Sequence, residues 1–452
     1  MAKGGLRRSL VPRLRHPAQV VVAGFAAADA VGTLLLMLPV SRAGAGRAGL
    51  LDALFTSTSA VCVTGLITVD TPVYWSGFGQ AVILGLIQVG GFGIMALATL
   101  LGLLVSRRLG LRTRLNTAAE ARSLGLSDVR RVLFGVARTS LLFELAGALV
   151  LTARFATAYD EPLGRALWLG VFHAVSAFNN AGFALYSDNL MGFATDPVIS
   201  VPVCILVIAG GLGFPVLFEF RRAWRTPRRW TLHTKIVTSM TVLLLVLGTA
   251  MFLVLEWTNP RTLGPMSVGG KLVAGFFQGV QPRTAGFNSI NTGALNAETL
   301  LGADVLMFIG GGSAGTAGGI KVTTFAVLLF VIITEVRGDQ SVTAFGRRLP
   351  REAQRQALTV ALLAVAVVVG STGLLLLDTD FTLDQVLFEV ISAFATVGLS
   401  TGITAQVSSE GQLLLIALMF LGRLGPVTLA SALALRHHPR LYDLPQERPI
   451  IG

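Results

Sequence analysis

The chain has 452 residues, 53% of them hydrophobic and 13% charged, with a mean hydropathy of +0.71 and a formal net charge of +12. Soluble domains carry about a quarter charged residues, so much of this surface faces something other than water, and a soluble globular enzyme is excluded as the starting class. Two cysteines, Cys62 and Cys204, each in an apolar stretch, exclude a disulfide-stapled scaffold and read as core residues.

In chain order, Lys3, Arg7, Arg8, Arg13 and Arg15 precede a first apolar run at 18–40. This run is longer than the hydrophobic region of a secretory signal and reads as a transmembrane helix with one acid, Asp29, inside it. Further runs long enough to cross fall at 76–105, 132–153, 198–220, 235–256, 300–333, 357–377 and 411–435, which makes eight crossings. Between them lie half-apolar stretches at 51–64, 165–180, 267–283 and 383–397, too short to span and therefore candidate re-entrant helices. The order span, half-helix, span recurs four times. Placing the N-terminus in the cytoplasm puts most of the 36 basic residues on the inner segments, including Arg107 to Arg131, Arg221 to Lys235, Arg337 to Arg355 and Arg436 to Arg448. The positive-inside rule thus accounts for the basic charge without nucleic acid.

The half-helices align on one glycine each: Gly65, Gly182, Gly286 and Gly398, at near-constant spacing. Every copy has phenylalanine ten residues earlier (Phe55, Phe172, Phe276, Phe388), and three carry serine six earlier (Ser59, Ser176, Ser392). A large apolar residue always follows: Leu66, Phe183, Phe287 or Leu399. A single glycine after a helix is an ordinary C-cap; four in register ask for more. A helix that stops halfway through a membrane points its carbonyl end, the negative end of its dipole, at the bilayer centre, where it favours a cation. The chain must return as non-helical backbone, which glycine permits and which is tolerated only in a buried or water-lined path. Four such segments around one axis form a ring of carbonyls able to replace the hydration shell of a potassium-sized ion.

The sixth apolar run contains Gly310-Gly-Gly-Ser-Ala-Gly-Thr-Ala-Gly-Gly319-Ile-Lys321. It formally fits a dinucleotide fingerprint but has no strand before it, and Ile320 and Val322 spoil a phosphate-binding P-loop. Close helix packing is the plainer alternative. At roughly 1 kcal/mol per glycine relative to alanine, the run is expected to break its helix instead.

These features resemble the bacterial Trk/Ktr potassium transporter superfamily. The repeated unit, Gly32-Thr-Leu-Leu-Leu-Met-Leu-Pro39, Thr58-Ser-Ala-Val-Cys-Val-Thr-Gly65, the glycine-rich sixth span and Gly422-Arg423-Leu-Gly-Pro426 carry the likeness over nearly the whole chain. The direct start at the first repeat and the ending Glu447-Arg-Pro-Ile-Ile-Gly452 are closer to KtrB-type membrane subunits than to the longer TrkH. The resemblance implies an all-α polytopic membrane protein of eight transmembrane helices, built as four covalently linked span, pore-helix, span repeats around one central pore. Repeat boundaries are expected at 1–131, 132–230, 231–356 (with the broken second helix and a gating loop) and 357–452 (with a C-terminal tail). It also implies a homodimer with one pore per protomer, in contact with membrane lipids and gated by a cytosolic nucleotide-binding ring of KtrA type.

Carried over to this chain, the selectivity filter falls on Val63, Thr64 and Gly65; Asn180, Ala181 and Gly182; Thr284, Ala285 and Gly286; and Thr396, Val397 and Gly398. No filter glycine is replaced by serine, which favours potassium. Only Thr396-Val397-Gly398 keeps the threonine-valine-glycine pattern, so selectivity looser than that of a tetrameric potassium channel is expected. The family's intramembrane gate falls on Gly310, Gly311, Gly312, Ser313, Gly315, Thr316, Gly318 and Gly319, with Lys321 and Arg423. Arg423 is expected to raise the barrier to the ion and to hold loop carbonyls; the plain alternative is a salt bridge with an acid such as Glu219 or Glu389. Lys321 is expected to reach the cytoplasmic interface, with helping to hold the loop as the alternative. Asp29 is expected to pack against a neighbouring helix, with an ion site as the alternative, His173 to pack within its pore helix, and Arg283 to lie near the outer mouth, bracing the filter or solvated. His437 and His438 lack the cysteines or carboxylates of a metal site.

The expected function is potassium uptake across the cytoplasmic membrane with both termini inside. Potassium is the transported ion, sodium coupling is left open, and no organic cofactor, transition metal or nucleic acid is expected. A sodium or nonselective cation transporter of the same superfamily is the alternative. An enzyme would need a convergent reactive cluster that the scattered histidines and acids do not provide.

Overall fold

The computed structural model describes the backbone of residues 17–108 and 126–425, and the side chains of 22–93 and 133–425. His437 and His438 lie outside the described residues. Helices dominate. In chain order they are α1 (Pro17–Leu36), α2 (Leu50–Val61), α3 (Gly77–Arg108), α4 (Leu126–Ala158), α5 (Leu163–Phe178), α6 (Pro197–Leu212) and α7 (Phe214–Ala223). They continue with α8 (Leu232–Glu256), α9 (Val268–Val280), α10 (Ala297–Phe308), α11 (Val322–Arg337), α12 (Arg351–Asp378), α13 (Leu383–Ala395) and α14 (Ser409–Leu424). A two-stranded hairpin pairs Thr343 with Arg348 and Ala344 with Arg347.

Among the described residues three helical stretches are long and apolar enough to cross a membrane: Leu133–Ala158, Leu232–Glu256 and Arg351–Asp378. The pair α6 and α7 makes a fourth if a 101° bend is allowed within one span. This is fewer than the eight crossings expected from hydropathy: two runs are interrupted for physical reasons, while those at 18–40 and 76–105 extend beyond the residues whose side chains are described. The run at 198–220 bends at Gly213, whose φ of +89° a side chain resists. The run at 300–333 is interrupted between Phe308 and Val322 by the glycine-rich segment, as its composition predicts. The run at 411–435 extends beyond the described residues.

The four short helices α2, α5, α9 and α13 match the four half-apolar stretches. Their starts are fixed locally: Ser267 accepts the Gly270 N–H at 3.2 Å to cap α9, and Thr382 with Gln385 forms a capping box on α13. Phe55, Phe172 and Phe388 are fully buried. In the third copy the buried ring is Phe277, and Phe276 is only half-buried. Pro282 explains the departure: without an N–H it cannot extend a helix, and α9 ends at Val280.

Close packing depends on three further glycines. Gly90, Gly210 and Gly422, on α3, α6 and α14, rest against the carbonyls of Val61, Phe178 and Phe394, each four residues before a turn glycine. A Cβ at any of the three would enter a backbone carbonyl that cannot rotate away. Gly90→Ala should therefore lose about 1–3 kcal/mol to overpacking and melt at lower temperature in detergent, while Gly24→Ala, which has nothing within 4 Å of its added Cβ, should not. Equal melting of the two variants would refute this packing role.

Candidate ion pathway

After α2, α5 and α13 the chain makes the same turn. The N–H groups of Val63, Asn180 and Thr396 donate three residues back at 3.1 Å, and those of Thr64, Ala181 and Val397 donate to the carbonyls of Ser59, Ser176 and Ser392 at 2.7–2.8 Å. This is the Schellman pattern, with the left-handed position filled by Val63 (φ 56°), Asn180 (φ 60°) and Thr396 (φ 51°). Thr284 (φ 66°) occupies the same position in the third segment, although Pro282 changes the bonding there to Ala285 N–H onto Gln281 at 3.0 Å. A left-handed non-glycine residue costs roughly 1–2 kcal/mol, and β-branched ones are true outliers. Three of these four are β-branched, so strain is concentrated where function is expected. Two residues on, Gly65, Gly182, Gly286 and Gly398 again have positive φ (93°, 69°, 76° and 94°).

The four glycines meet. A Cβ on Gly65 would lie 3.1 Å from the Cα of Gly182, one on Gly182 3.0 Å from that of Gly286, one on Gly286 3.1 Å from that of Gly398, and one on Gly398 3.1 Å from that of Gly65. The contacts therefore close a ring in chain order, with the first segment opposite the third and the second opposite the fourth. The carbonyls of Thr64, Ala181, Ala285 and Val397 each abut the glycine of an adjacent segment. Buried in the same segments, the hydroxyls of Thr64, Thr284 and Thr396 and the amide nitrogen of Asn180 have no hydrogen-bond partner among the described residues.

The repeated serines do not all act alike. Ser59 and Ser392 accept the N–H of Gly65 and Gly398 at 3.0 and 3.1 Å, whereas Ser176 donates to the Phe183 carbonyl at 2.8 Å. The third segment, with Val280 at that position, uses Gln281 instead, which accepts the Phe287 N–H at 3.3 Å. Sequence reading missed Gln281 because it looked for a serine at fixed spacing. His173 does pack within its helix neighbourhood: Nδ1 lies 2.7 Å from the Leu169 carbonyl, and Nε2 receives the Leu185 N–H at 3.3 Å. Asp29 ties α1 to α2, its Oδ2 accepting from Thr58 at 2.9 Å and its backbone carbonyl from Ser57 at 2.8 Å.

The glycine-rich segment crosses one end of the ring. Its base is pinched by Gly310 N–H onto Ile320 (2.9 Å) and Val322 N–H onto Gly311 (3.0 Å). Gly312 and Thr316 donate to the carbonyls of Gly211 and Gly210 on α6, at 2.7 and 3.1 Å, and the Ala314 carbonyl receives the Phe214 N–H of α7 at 3.3 Å. The Thr316 hydroxyl donates to Asn180 Oδ1 at 2.9 Å, while Gly318 sits against Thr396. The loop thus touches the second and fourth segments, which face each other across the ring.

Arg423, only 2% exposed, donates Nη1 to the Thr316 carbonyl and Nη2 to the Gly90 carbonyl at 3.1 Å. The acids considered as its ion-pair partners are engaged elsewhere: Glu219 accepts from Thr231 and Thr234, and Glu389 from Ser400 and Thr404. Of the two readings of Lys321, the structure fits the loop-holding alternative and not the outward reach. Its ammonium turns back onto the carbonyls of Ala317 and Gly318, which the broken helix leaves without helical partners. Arg283 also departs from expectation. It is 7% exposed, hydrogen-bonded to Thr241 at 3.4 Å, and shares a small cavity with Gly211 and Gly311 beside the loop instead of being solvated at a mouth.

The family described as TrkH, cation transport protein, matches residues 6–440. The chain is 39% identical to Ktr system potassium uptake protein B of Bacillus subtilis over 92% of this chain and 93% of that protein, and 38% identical to its Vibrio alginolyticus namesake over 96% and 94%. It is 34% identical to the potassium/sodium uptake protein NtpJ of Enterococcus hirae over 99% and 100%. Its fold matches the crystal structure of the potassium transporter TrkH from Vibrio parahaemolyticus with a TM-score of 0.74, covering 96% of this chain and 87% of that one at 18% identity. The chain belongs to the TrkH cation transport family, a family of membrane ion transporters and not of enzymes.

Proposed function

We propose that this protein carries potassium into the cell across the cytoplasmic membrane, through a filter made of residues 63–65, 180–182, 284–286 and 396–398. The observation that carries the reading is the closed ring of four glycines. Each ring segment pairs a left-handed residue with a positive-φ glycine two positions later, and the carbonyl between them lies against the adjacent segment. The unpartnered hydroxyl of Thr396 and the amide nitrogen of Asn180 add polar groups beside the loop, and the hydroxyl of Thr284 adds one in the third segment. Around this centre the chain forms eight crossings in four repeats, 1–131, 132–230, 231–356 and 357–452, with both termini in the cytoplasm.

In this reading the segment from Gly310 to Lys321 is the gate. It closes the pathway by lying diagonally beneath the filter, held by Arg423 and by its own lysine, and opening requires those carbonyl contacts to break. The protein works as a homodimer with a cytosolic nucleotide-binding ring, consistent with relatives named as parts of a Ktr system. Sodium dependence, or transport of sodium itself, is the second reading. It is favoured by the three filter segments that lack the threonine-valine-glycine pattern and by the likeness to a potassium/sodium uptake protein.

Three experiments test these assignments. Expressed in a strain lacking potassium uptake, the chain should restore growth on low potassium, and vesicles should take up rubidium faster than sodium; faster sodium uptake would favour the second reading. Gly65→Ser, at φ 93° and against the next segment, should lower the rubidium-to-sodium ratio, and an unchanged ratio in well-expressed protein would remove Gly65 from the filter. Arg423→Ala should raise rubidium flux roughly tenfold, the equivalent of one charge-assisted hydrogen bond of about 1.5 kcal/mol. Lys321→Gln should raise it less, since the amide keeps a donor, and unchanged flux in both variants would refute the gate.

A further inference from the structure

Beside the loop tip lies a cavity of about 930 Å³ between α7 and the start of α8. Phe218 and Pro215 give it an apolar wall, Arg222, Arg229 and His233 line it with basic groups, and Ser313 and Ala314 of the loop reach into it. Its one lining acid, Glu219, is already engaged: it accepts the Thr231 N–H at 2.7 Å, the Thr231 hydroxyl at 2.8 Å and the Thr234 hydroxyl. Neither arginine is in an ion pair among the described residues, whose ion pairs are Arg154 with Asp196 and Arg165 with Glu161. His233 Nε2 is buried without a hydrogen-bond partner. Two exposed guanidiniums without an ion-pair partner among the described residues, and an imidazole, beside an apolar wall suit a phosphate group carried on an apolar body.

The position matters as much as the charge. Helix α7 leaves α6 at 101°, and beyond it Arg225 stacks on Trp224 at 5.0 Å while Trp230 donates to the Ala223 carbonyl at 2.9 Å. Tryptophan and arginine together mark the membrane interface. The first N–H of α7, on Phe214, holds the Ala314 carbonyl of the loop tip, and Gly213 packs against Ser313. A group bridging Arg222 on α7 and Arg229 before α8 would brace the same helix that clasps the loop.

We infer that the cavity formed by Arg222, Arg229 and His233 binds a phosphate group, and that its occupancy holds the loop tip clasped and slows ion passage. The coupling half of this inference rests on the reading of the loop as the gate. The phosphate comes from an anionic phospholipid headgroup or from a soluble organic phosphate, which share this chemistry.

The full chain is reconstituted in phosphatidylcholine vesicles with and without phosphatidylglycerol, and rubidium flux is compared with that of an R222Q/R229Q variant. Anionic lipid also concentrates cations at the surface, but equally for both proteins, so the difference between them is the readout. Phosphatidylglycerol should slow the unmodified protein relative to the variant. In detergent it should raise the melting temperature of the unmodified protein, with roughly 30-fold weaker affinity for the variant. Glycerol phosphate added to phosphatidylcholine vesicles assigns the source: slowing identifies a soluble phosphate, and no slowing identifies the headgroup. Identical flux responses and identical melting shifts for the two proteins overturn the site. A melting shift lost in the variant without any flux difference overturns the coupling. If Arg423→Ala leaves flux unchanged while the variant still loses the melting shift, the gate reading fails and the binding site stands.

Discussion

Backbone meets backbone at the centre of this protein. Four segments approach so closely that no side chain fits at Gly65, Gly182, Gly286 or Gly398, and each leaves carbonyls that no helix satisfies. Such groups are tolerated inside a membrane only when protein or a polar path surrounds them. The surrounding structure follows from that demand. Short helices stop in Schellman turns, buried phenylalanines fix those helices, and Gly90, Gly210 and Gly422 let the neighbouring helices pack against their last carbonyls.

The third quarter of the chain departs from the others in a connected way. Pro282 shortens α9, Gln281 replaces the serine brace, and the apolar run that follows is broken into α10 and α11. Carbonyls freed by that break, those of Thr316, Ala317 and Gly318, are taken up by Arg423 and Lys321 from within the protein, and the N–H groups of Gly312 and Thr316 by α6. A loop held by three neighbouring elements has few ways to move, and each is tied to a helix that other groups can push.

Much of this was legible in the sequence because glycine at a close approach leaves a pattern independent of partners. The four turn glycines, the helix break at Gly310 and the burial of Arg423 could be read from spacing and composition alone. The orientations of Lys321 and Arg283 could not. A long cation in an apolar run reads as reaching for water, unless a broken helix nearby offers bare carbonyls, and that geometry exists only after folding. Hydropathy likewise marked runs long enough to cross but not the 101° bend at Gly213, which depends on the loop packed against it. Gln281 escaped notice because it performs a serine's task from a different position.

The ring closes between its first and last members, Gly65 and Gly398, and the Arg423 to Gly90 hydrogen bond joins residues 333 apart in sequence. Contacts of such long range form late, after the loop-closure entropy has been overcome. During synthesis the first three segments therefore exist without the wall that completes them, and the ring closes only when the final quarter of the chain docks. A channel assembled from four separate subunits must avoid leaking as a partial oligomer. Here a truncated chain lacks one side of the ring together with the arginine that secures the loop, so completing the polypeptide and completing the ring are the same event.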